Sequence, residues 1–470
     1  MGTKLRSYVD VMSLNSDVTG SCNFLVIKMP SINKTFRIAV DCGLFQAKET
    51  DNYNRDFPFD AEKLDCVLIT HNHVDHIGRL PLLVKKGYNK KIICTSATKM
   101  LMPLALNDSC KVLRDTAKRN NTKQLYTEED VENTIALLKG VEFEETVVIN
   151  DYVNATFFKN GHLLGAAMIL LQIHNDNEET INLFFTGDYN NRNMFFTVPE
   201  LPKWVRELPV TVVQEATYGD MDSKEIVPCF KKNILGNLDK TIIIPVFSLG
   251  RSQEILKILR DMQEKEELDK NIPIYFDGKL GIKYTNVYLK DGFGFNNDCR
   301  DFLPHNLEFV DEGIRDMILE DNNSKIIVTT SGSATYGPAP LYLERFVGSS
   351  NVLIHFTGYL FEGSLGRRIK ETPDGEFVKV NGMILRKHAN VEFTSEFSAH
   401  AKADEMIEFL KGFENLKSVL VNHGEIDVKD KFAERIASET VVKTVGVLDR
   451  NYFFRVSPWG IVKSYSTKFE

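Results

Sequence analysis

Short apolar runs separated by turn residues dominate the first half of the chain. They are CNFLVIKM (22–29), RIAVDCG (37–43), CVLITHN (66–72), KIICTS (91–96), ATFFKNG (155–161), AMILLQIH (167–174) and NLFFTGD (182–188). Their Val, Ile and Phe content, with Gly, Asn or Asp at many of their ends, predicts strands. Helical patterns lie between some of them. GRLPLLVKKG (78–87) carries Pro81 near a first turn and Gly87 as a stop. YTEEDVENTIALLKG (126–140) opens with Thr127 and acidic residues and closes with Gly140, which predicts a capped helix over that stretch.

The middle of the chain reads differently. TIIIPVFSLGRSQEILKILRDMQE (241–264) predicts a buried strand, a tight turn and an amphipathic helix. IPIYF (272–276), KIIVTTSG (325–332) and NVLIHFTGY (351–359) are further continuous apolar runs. Strand–helix–strand order with such strands predicts a parallel sheet covered on both faces. Near the end, FSAHAKADEMIEFLKGF (397–413) spaces Ala403, Met406, Ile407, Leu410 and Phe413 along one helix face, and KSVLVNHGE (417–425) predicts a strand ending in Asn-His-Gly. No internal repeat or low-complexity segment interrupts this order.

Composition narrows the class. The chain has 470 residues, 43% hydrophobic and 26% charged, a globular balance with length for roughly two to four domains. No apolar run approaches the roughly 18 residues that span a membrane. The opening MGTKLRSYVDV has no apolar secretory region, and Arg6 stands where a myristoylation signal wants a hydroxyl residue. Seven scattered cysteines without a CxxC predict reduced thiols of a cytoplasmic protein, not a disulfide frame or a zinc ribbon. A net charge of −8 argues against a protein that coats nucleic acid generally, but it leaves room for a nuclease with a local basic groove.

The chemistry concentrates in THNHVDHIGRLP (70–81), where His71, His73, Asp75 and His76 follow a strand and precede a helix. In a chain with only ten histidines, HxHxDH arises by chance in roughly one sequence of this size in several thousand. Imidazole suits zinc, and aspartate adds oxygen ligation and charge. Distant side chains at other strand ends offer to complete the site: His162 in GHLLGAA, Asp188 in FFTGDYN, His400 in FSAH and His423 in VNHGE. His174, His305 and His388 lie in polar surroundings, and His355, inside LIHFT, reads as a strand histidine.

HNHVDH, GHLLGAA, TGDYNNRN, FSAH and VNHGE stand in the order expected of the metallo-β-lactamase fold. EATYGD (215–220), PVFSLGRSQE (245–254) and GYLFEGSLGR (358–367) resemble the β-CASP nuclease branch of that fold. The resemblance runs from about Asp41 to Glu425 and implies an α/β protein, an αββα sandwich with an inserted parallel-sheet β-CASP domain. It divides the chain into 1–217 and 391–470 for the sandwich and 218–390 for the insert. It implies two zinc ions, one on His71, His73 and His162, the other on Asp75, His76 and His423, with Asp188 bridging and Asp75 counted also among the catalytic groups. Glu215 would hold His400 as general acid toward the leaving 3′ oxygen, and Asp41 would orient a ligand histidine. Arg251, Ser331, Arg367 and Arg368 are the expected phosphate contacts.

The activity implied is a zinc-dependent ribonuclease, endonucleolytic, acting on single-stranded RNA in the cytoplasm with no membrane association, and a homodimer is left open. The alternatives are a DNA nuclease or a 5′–3′ exoribonuclease of the same fold, and His423 favours RNA, because DNA-acting members tend to carry an apolar residue there. A small-substrate hydrolase leaves the insert without a purpose, and a non-catalytic scaffold would have lost ligands that are all present. Two departures bear on backbone binding and end selection. Ser331-Gly332-Ser333 replaces the usual Ser-Gly-Met, and IPIYFDGKLG lacks the small hydroxyl residue that usually follows its aspartate.

Overall fold

Alternation along the strand Ala167–His174 explains the architecture. Ala167, Ile169, Leu171 and Ile173 join Val11, Leu25 and Ile38 of another sheet in one core. Met168 and Leu170 turn the other way, onto Met406, Leu410 and Phe413. A strand buried on both faces must be apolar, as this one is from Ala167 to Leu171. Fully burying each such Leu, Ile or Phe contributes about 1.5–3 kcal/mol.

The computed structural model describes residues 6–466 except 16, 19, 46–51, 175–178, 291, 359 and 443. The chain forms two units, one from residues up to Asn193, Val198–Ser223 and those from Ala399 on, the other from Met194–Thr197 and Lys224–Ser398.

Among the described residues the first unit holds two facing sheets. One has eight strands in the order Gly460–Ser466, Tyr452–Ser457, Tyr8–Ser13, Asn23–Met29, Lys34–Val40, Cys66–Leu68, Ile92–Thr95 and Leu138–Val141. The other has seven, in the order Val445–Val447, Leu416–Asn422, Val210–Glu215, Thr180–Phe185, Ala167–His174, Val153–Lys159 and Thr146–Asn150. The helix Ser96–Asn120 packs on the first sheet, and the helices Ala403–Lys411 and Ile426–Glu439 supply the core on the outer face of the second, which completes the αββα layering.

The stretch 126–140 corrects the sequence expectation of one helix. Thr127 does cap a helix through a capping box with Asp130, but that helix ends at Ala136, and Leu138–Val141 is a strand paired with Ile92–Thr95. An open parallel edge beside Ile92–Thr95 overrides the helical pattern there. In the 78–87 stretch the helix is Leu80–Lys85, with Pro81 in its first turn, and Gly87 follows at φ 102°.

The second unit is built on six parallel strands in the order Leu307–Phe309, Ile274–Asp277, Lys325–Thr330, Thr241–Val246, Val352–Phe356 and Asn390–Phe393. The hairpin Phe377–Val380 with Met383–Arg386 stands apart from that sheet. Among the described residues no helix is long and apolar enough to cross a membrane, and the seven cysteines are all unpaired.

His355 is a fully buried residue of the strand Val352–Phe356, where its Nε2 lies 3.2 Å from Asn233 Nδ2. Burial pushes its imidazole from the usual 6.5 down to about 4. The unfolded chain therefore binds this proton first. The neutral side chain costs nothing above the unfolded value, and stability is lost as pH falls from about 6.5 to about 4, by about 3 kcal/mol in all. Hydrogen exchange of the strand Val352–Phe356 at pH 7 and pH 5 is expected to report that loss, and His355→Phe to flatten it. An unchanged slope in the variant would rule His355 out as its source.

Candidate metal centre

Most side chains of this centre sit just past strand ends in the first unit. His71 and His73 follow Cys66–Leu68, His162 follows Val153–Lys159, Asp188 follows Thr180–Phe185, and His423 follows Leu416–Asn422. Parallel register brings these ends side by side: Phe185 pairs with Val213, and Glu215 pairs with Asn422. The short helix Val74–Ile77 then carries Asp75 and His76. Two glycines make this packing possible. A Cβ on Gly43 would lie 1.5 Å from the Asp75 carbonyl oxygen, so only glycine lets the 41–44 segment run beneath that helix. Gly187 adopts φ 57° just before Asp188, and a Cβ there would meet the Thr70 side chain at 2.8 Å. Arg79, the arginine of GRLP, fastens the same region. Its buried guanidinium donates to Gly43 O at 2.7 Å and Tyr53 O at 3.0 Å and lies over the Phe45 ring.

Two groups of ligand-type atoms result, His71, His73, His162 and Asp188 in one and Asp75, His76, Asp188 and His423 in the other, each within 4.8 Å mutually. In the first, His73 Nδ1 is 3.1 Å from both His71 Nε2 and His162 Nε2. Asp188 Oδ2 lies 3.6 Å from His71 Nε2 and 3.7 Å from His162 Nε2. In the second, Asp188 Oδ1 lies 3.1 Å from His76 Nε2 and 3.2 Å from His423 Nε2, and Asp75 Oδ2 is 3.8 Å from His76 Nε2.

The chemistry of these atoms fits cations. His76 Nε2 and Asp188 Oδ1 are buried without a hydrogen-bond partner among the described residues, although they are neighbours. Buried polar atoms left unpaired are costly, and a shared cation satisfies both. The far nitrogens are already engaged. His76 Nδ1 is 2.8 Å from Asp41 Oδ2, and His162 Nδ1 is 2.9 Å from Ala399 O. In the neutral ring each contact keeps the proton on Nδ1 and leaves Nε2 its lone pair. Asp41 is itself held by the Thr70 N–H at 2.8 Å and hydroxyl at 2.9 Å.

Electrostatics divides the histidines. Burial holds His71 and His162 well below the ordinary imidazole range and lowers His73, so these three stay neutral. Burial also opposes charge on His76, but the carboxylates of Asp188, Asp41 and Asp75 outweigh it and raise its pKa well above the usual value. Asp188 goes the other way. Burial favours its neutral form, yet His423, His76 and His71 hold it well below the usual carboxylate range.

A separate pair lies beside these groups. His400 Nδ1 is 2.9 Å and 3.1 Å from the two Glu215 oxygens, and its Nε2 is 3.9 Å from Asp188 Oδ2. Glu215 is buried and also accepts from the Tyr189 N–H at 2.5 Å and the Thr217 N–H at 3.1 Å. Burial works against a proton on His400, but the Glu215 charge prevails and raises its pKa. His400 precedes the helix Ala403–Lys411 and is not part of it.

Sequence reasoning missed Lys402. Its buried ammonium stands 3.2 Å from the centroid of the Tyr218 ring, and that ring is 6.1 Å from the His400 ring. Burial lowers this lysine to about 8, and its charge opposes protonation of His400. The only signal was its place two residues after His400, where a lysine looks like any surface cation.

The remaining expected residues lie in the second unit. Arg251 is buried, with its guanidinium on Thr357 O and, at 2.9 Å, on Glu254 Oε2. Ser331 Oγ accepts from the Tyr336 N–H at 3.3 Å. Arg367 pairs with Glu371, and Arg368 donates to Gly363 O at 2.6 Å, both on the exposed side of the helix Leu365–Glu371.

Residues 18–177 match the metallo-β-lactamase superfamily, 252–369 the Beta-Casp domain, and 384–445 the Zn-dependent metallo-hydrolase RNA specificity domain. A ribonuclease of Thermus thermophilus is 30% identical across 87% of this chain and 91% of its own. The transcription termination factor FttA of Methanosarcina mazei is 29% identical across 86% of this chain and 66% of its own. Integrator complex subunit 11 of Gallus gallus is 27% identical across 92% of this chain and 71% of its own.

Proposed function

The chain belongs to the β-CASP branch of the metallo-β-lactamase superfamily, metal-dependent hydrolases, and from that premise we propose that it is a zinc-dependent endoribonuclease acting on single-stranded RNA. The observation that carries this reading is the combination of two convergent ligand groups sharing Asp188 with a His–carboxylate pair that belongs to neither. His71, His73 and His162 would hold one zinc, Asp75, His76 and His423 the second, and Asp188 both. Zinc held by these residues would supply an acidified water and positive charge to offset the negative charge building on the phosphate.

The protein groups do the rest. His400, kept charged by Glu215, delivers a proton from Nε2 to the departing 3′ oxygen. Glu215 cannot turn away, because the Tyr189 and Thr217 N–H groups fix both its oxygens. Asp75, the least buried carboxylate of the ligand groups, takes up the proton that the attacking water gives off. Arg367 and Arg368 are the exposed cations of the expected phosphate set, and they meet the RNA backbone. The unpaired cysteines support a reducing, cytoplasmic setting.

Cleavage of 5′- and 3′-labelled RNA with and without chelator tests the reading. Internal cuts that stop when zinc is removed are the expected result. Mononucleotides alone would replace it with a 5′–3′ exoribonuclease, and selective cutting of the DNA of the same sequence with a DNA nuclease.

Asp41 supplies a graded check. Asp41→Ala leaves every ligand in place but frees the His76 ring. Zinc affinity is expected to drop about 10–100-fold by chelator competition. Unchanged affinity would mean that His76 needs no such orientation.

A further inference from the structure

In the second unit the strand Thr241–Val246 lies between Lys325–Thr330 and Val352–Phe356. From Thr241–Val246 the chain continues to Ile274–Asp277 on one side of the sheet. From Lys325–Thr330 it continues to Val352–Phe356 on the other. Parallel sheets take ligands outside the carboxyl ends of the strands, where connections diverge in this way.

The loop after each of these three central strands presents an exposed aromatic side chain: Phe247 at 42%, Tyr336 at 60% and Phe361 at 40% of full exposure. Phe377, on the hairpin, is the other exposed aromatic among the described residues of this unit. Glycines flank the first ring, and the other two residues are anchored through their backbones. Phe247 sits between two glycines, where a Cβ on Gly332 would come to 2.9 Å and one on Gly358 to 3.0 Å of its ring. Any other residue at those positions would crowd or cover the ring. Tyr336 is tied by its N–H to Ser331 Oγ and by its carbonyl to the Ser331 N–H, both at 3.3 Å. The Phe361 carbonyl accepts from the N–H of Ser364, which caps the helix bearing Arg367 and Arg368.

Rings held open at one sheet edge give up burial that the rest of the unit obtains. Aromatic rings interleaved with arginines are the chemistry of single-stranded nucleic acid, whose bases stack while its phosphates pair. We infer that Phe247, Tyr336 and Phe361 form a platform on which successive bases of single-stranded RNA stack, with Arg367 and Arg368 on the intervening phosphates. This rests on the ribonuclease reading and adds a base-binding surface to it.

Binding is measured on the full chain in EDTA, with fluorescein-labelled oligoadenylate and with an abasic ribose-phosphate oligomer of equal length. Phe247→Leu and Tyr336→Leu are each expected to weaken oligoadenylate binding roughly tenfold and to leave the abasic oligomer unaffected. Phe247→Tyr and Tyr336→Phe keep their rings and are expected to keep wild-type affinity, which separates lost stacking from a damaged fold. Wild-type affinity in the leucine variants, or equal losses on the abasic oligomer, would overturn the platform while zinc-dependent RNA cleavage by the wild type still upheld the ribonuclease reading. Failure of the wild type both to bind and to cut RNA would overturn both.

Discussion

Replacing Asp188 with alanine is expected to empty both halves of the metal centre at once. Asp188 Oδ1 faces His76 and His423, and Oδ2 faces His71 and His162, so this one carboxylate serves both groups. No neighbouring acid can replace it, because Asp75 belongs to one group alone and Asp41 is spent on His76 and Thr70. On the two-zinc proposal, zinc content should fall from about two per chain to well under one. Losing a single donor to developing charge typically costs about 10²–10³-fold, so losing the carboxylate common to both ligand groups should cost at least roughly 10³-fold in RNA cleavage. His73→Ala makes the comparison, since His73 enters one group only and should leave a partly loaded chain. Ligand binding stabilises the folded state by mass action. Chelator should therefore lower the melting temperature of the wild type and leave that of Asp188→Ala almost unmoved. Two bound zincs per chain in Asp188→Ala would show that the bridging assignment is wrong.

The second large effect is expected at His400. His400 belongs to neither ligand group and its Nδ1 is engaged by Glu215, which fits proton delivery, not metal holding. His400→Ala should reduce RNA cleavage by about 10²–10⁴-fold with zinc content intact. The informative comparison is the leaving group. A phosphodiester whose leaving group is p-nitrophenolate needs little protonation, so the variant should cut it nearly as well as the wild type. Glu215→Gln should behave similarly but more mildly, because the amide still contacts Nδ1 while no longer favouring the charged ring. An equal loss on both substrates would assign His400 to binding or metal retention instead.

How legible this was depends on what each residue needed. The strand-end groups could be read directly, because ligands on short loops after apolar strands need only a fixed local pattern, and HNHVDH supplies one. Their convergence was legible only through the family resemblance, since it depends on the register that pairs Glu215 with Asn422 across two hundred residues of chain. The helix Ser96–Asn120 escaped notice because Pro103 lies inside it and its apolar stripe is weak. The strand Leu138–Val141 was hidden by a helical pattern that only its parallel neighbour overrides. Lys402 carries no motif. Its burial and its contact with Tyr218 exist only once the helix Ala403–Lys411 is docked.

The strand Tyr8–Ser13 lies between Asn23–Met29 and Tyr452–Ser457, with Val9 opposite Val456. In the order of synthesis, this gives the two metal groups different birthdays. His71, His73, His162 and Asp188 have all emerged before the second unit is begun. The group completed by His423 must wait until that entire unit has been made. The second unit's sheet is a single continuous stretch and can close by itself, whereas the first unit stays open along one edge until the final hairpin arrives. Pulsed hydrogen exchange during refolding should therefore find Thr241–Val246 protected before Tyr8–Ser13. On this account the ligand group that includes His423 is the later of the two to close.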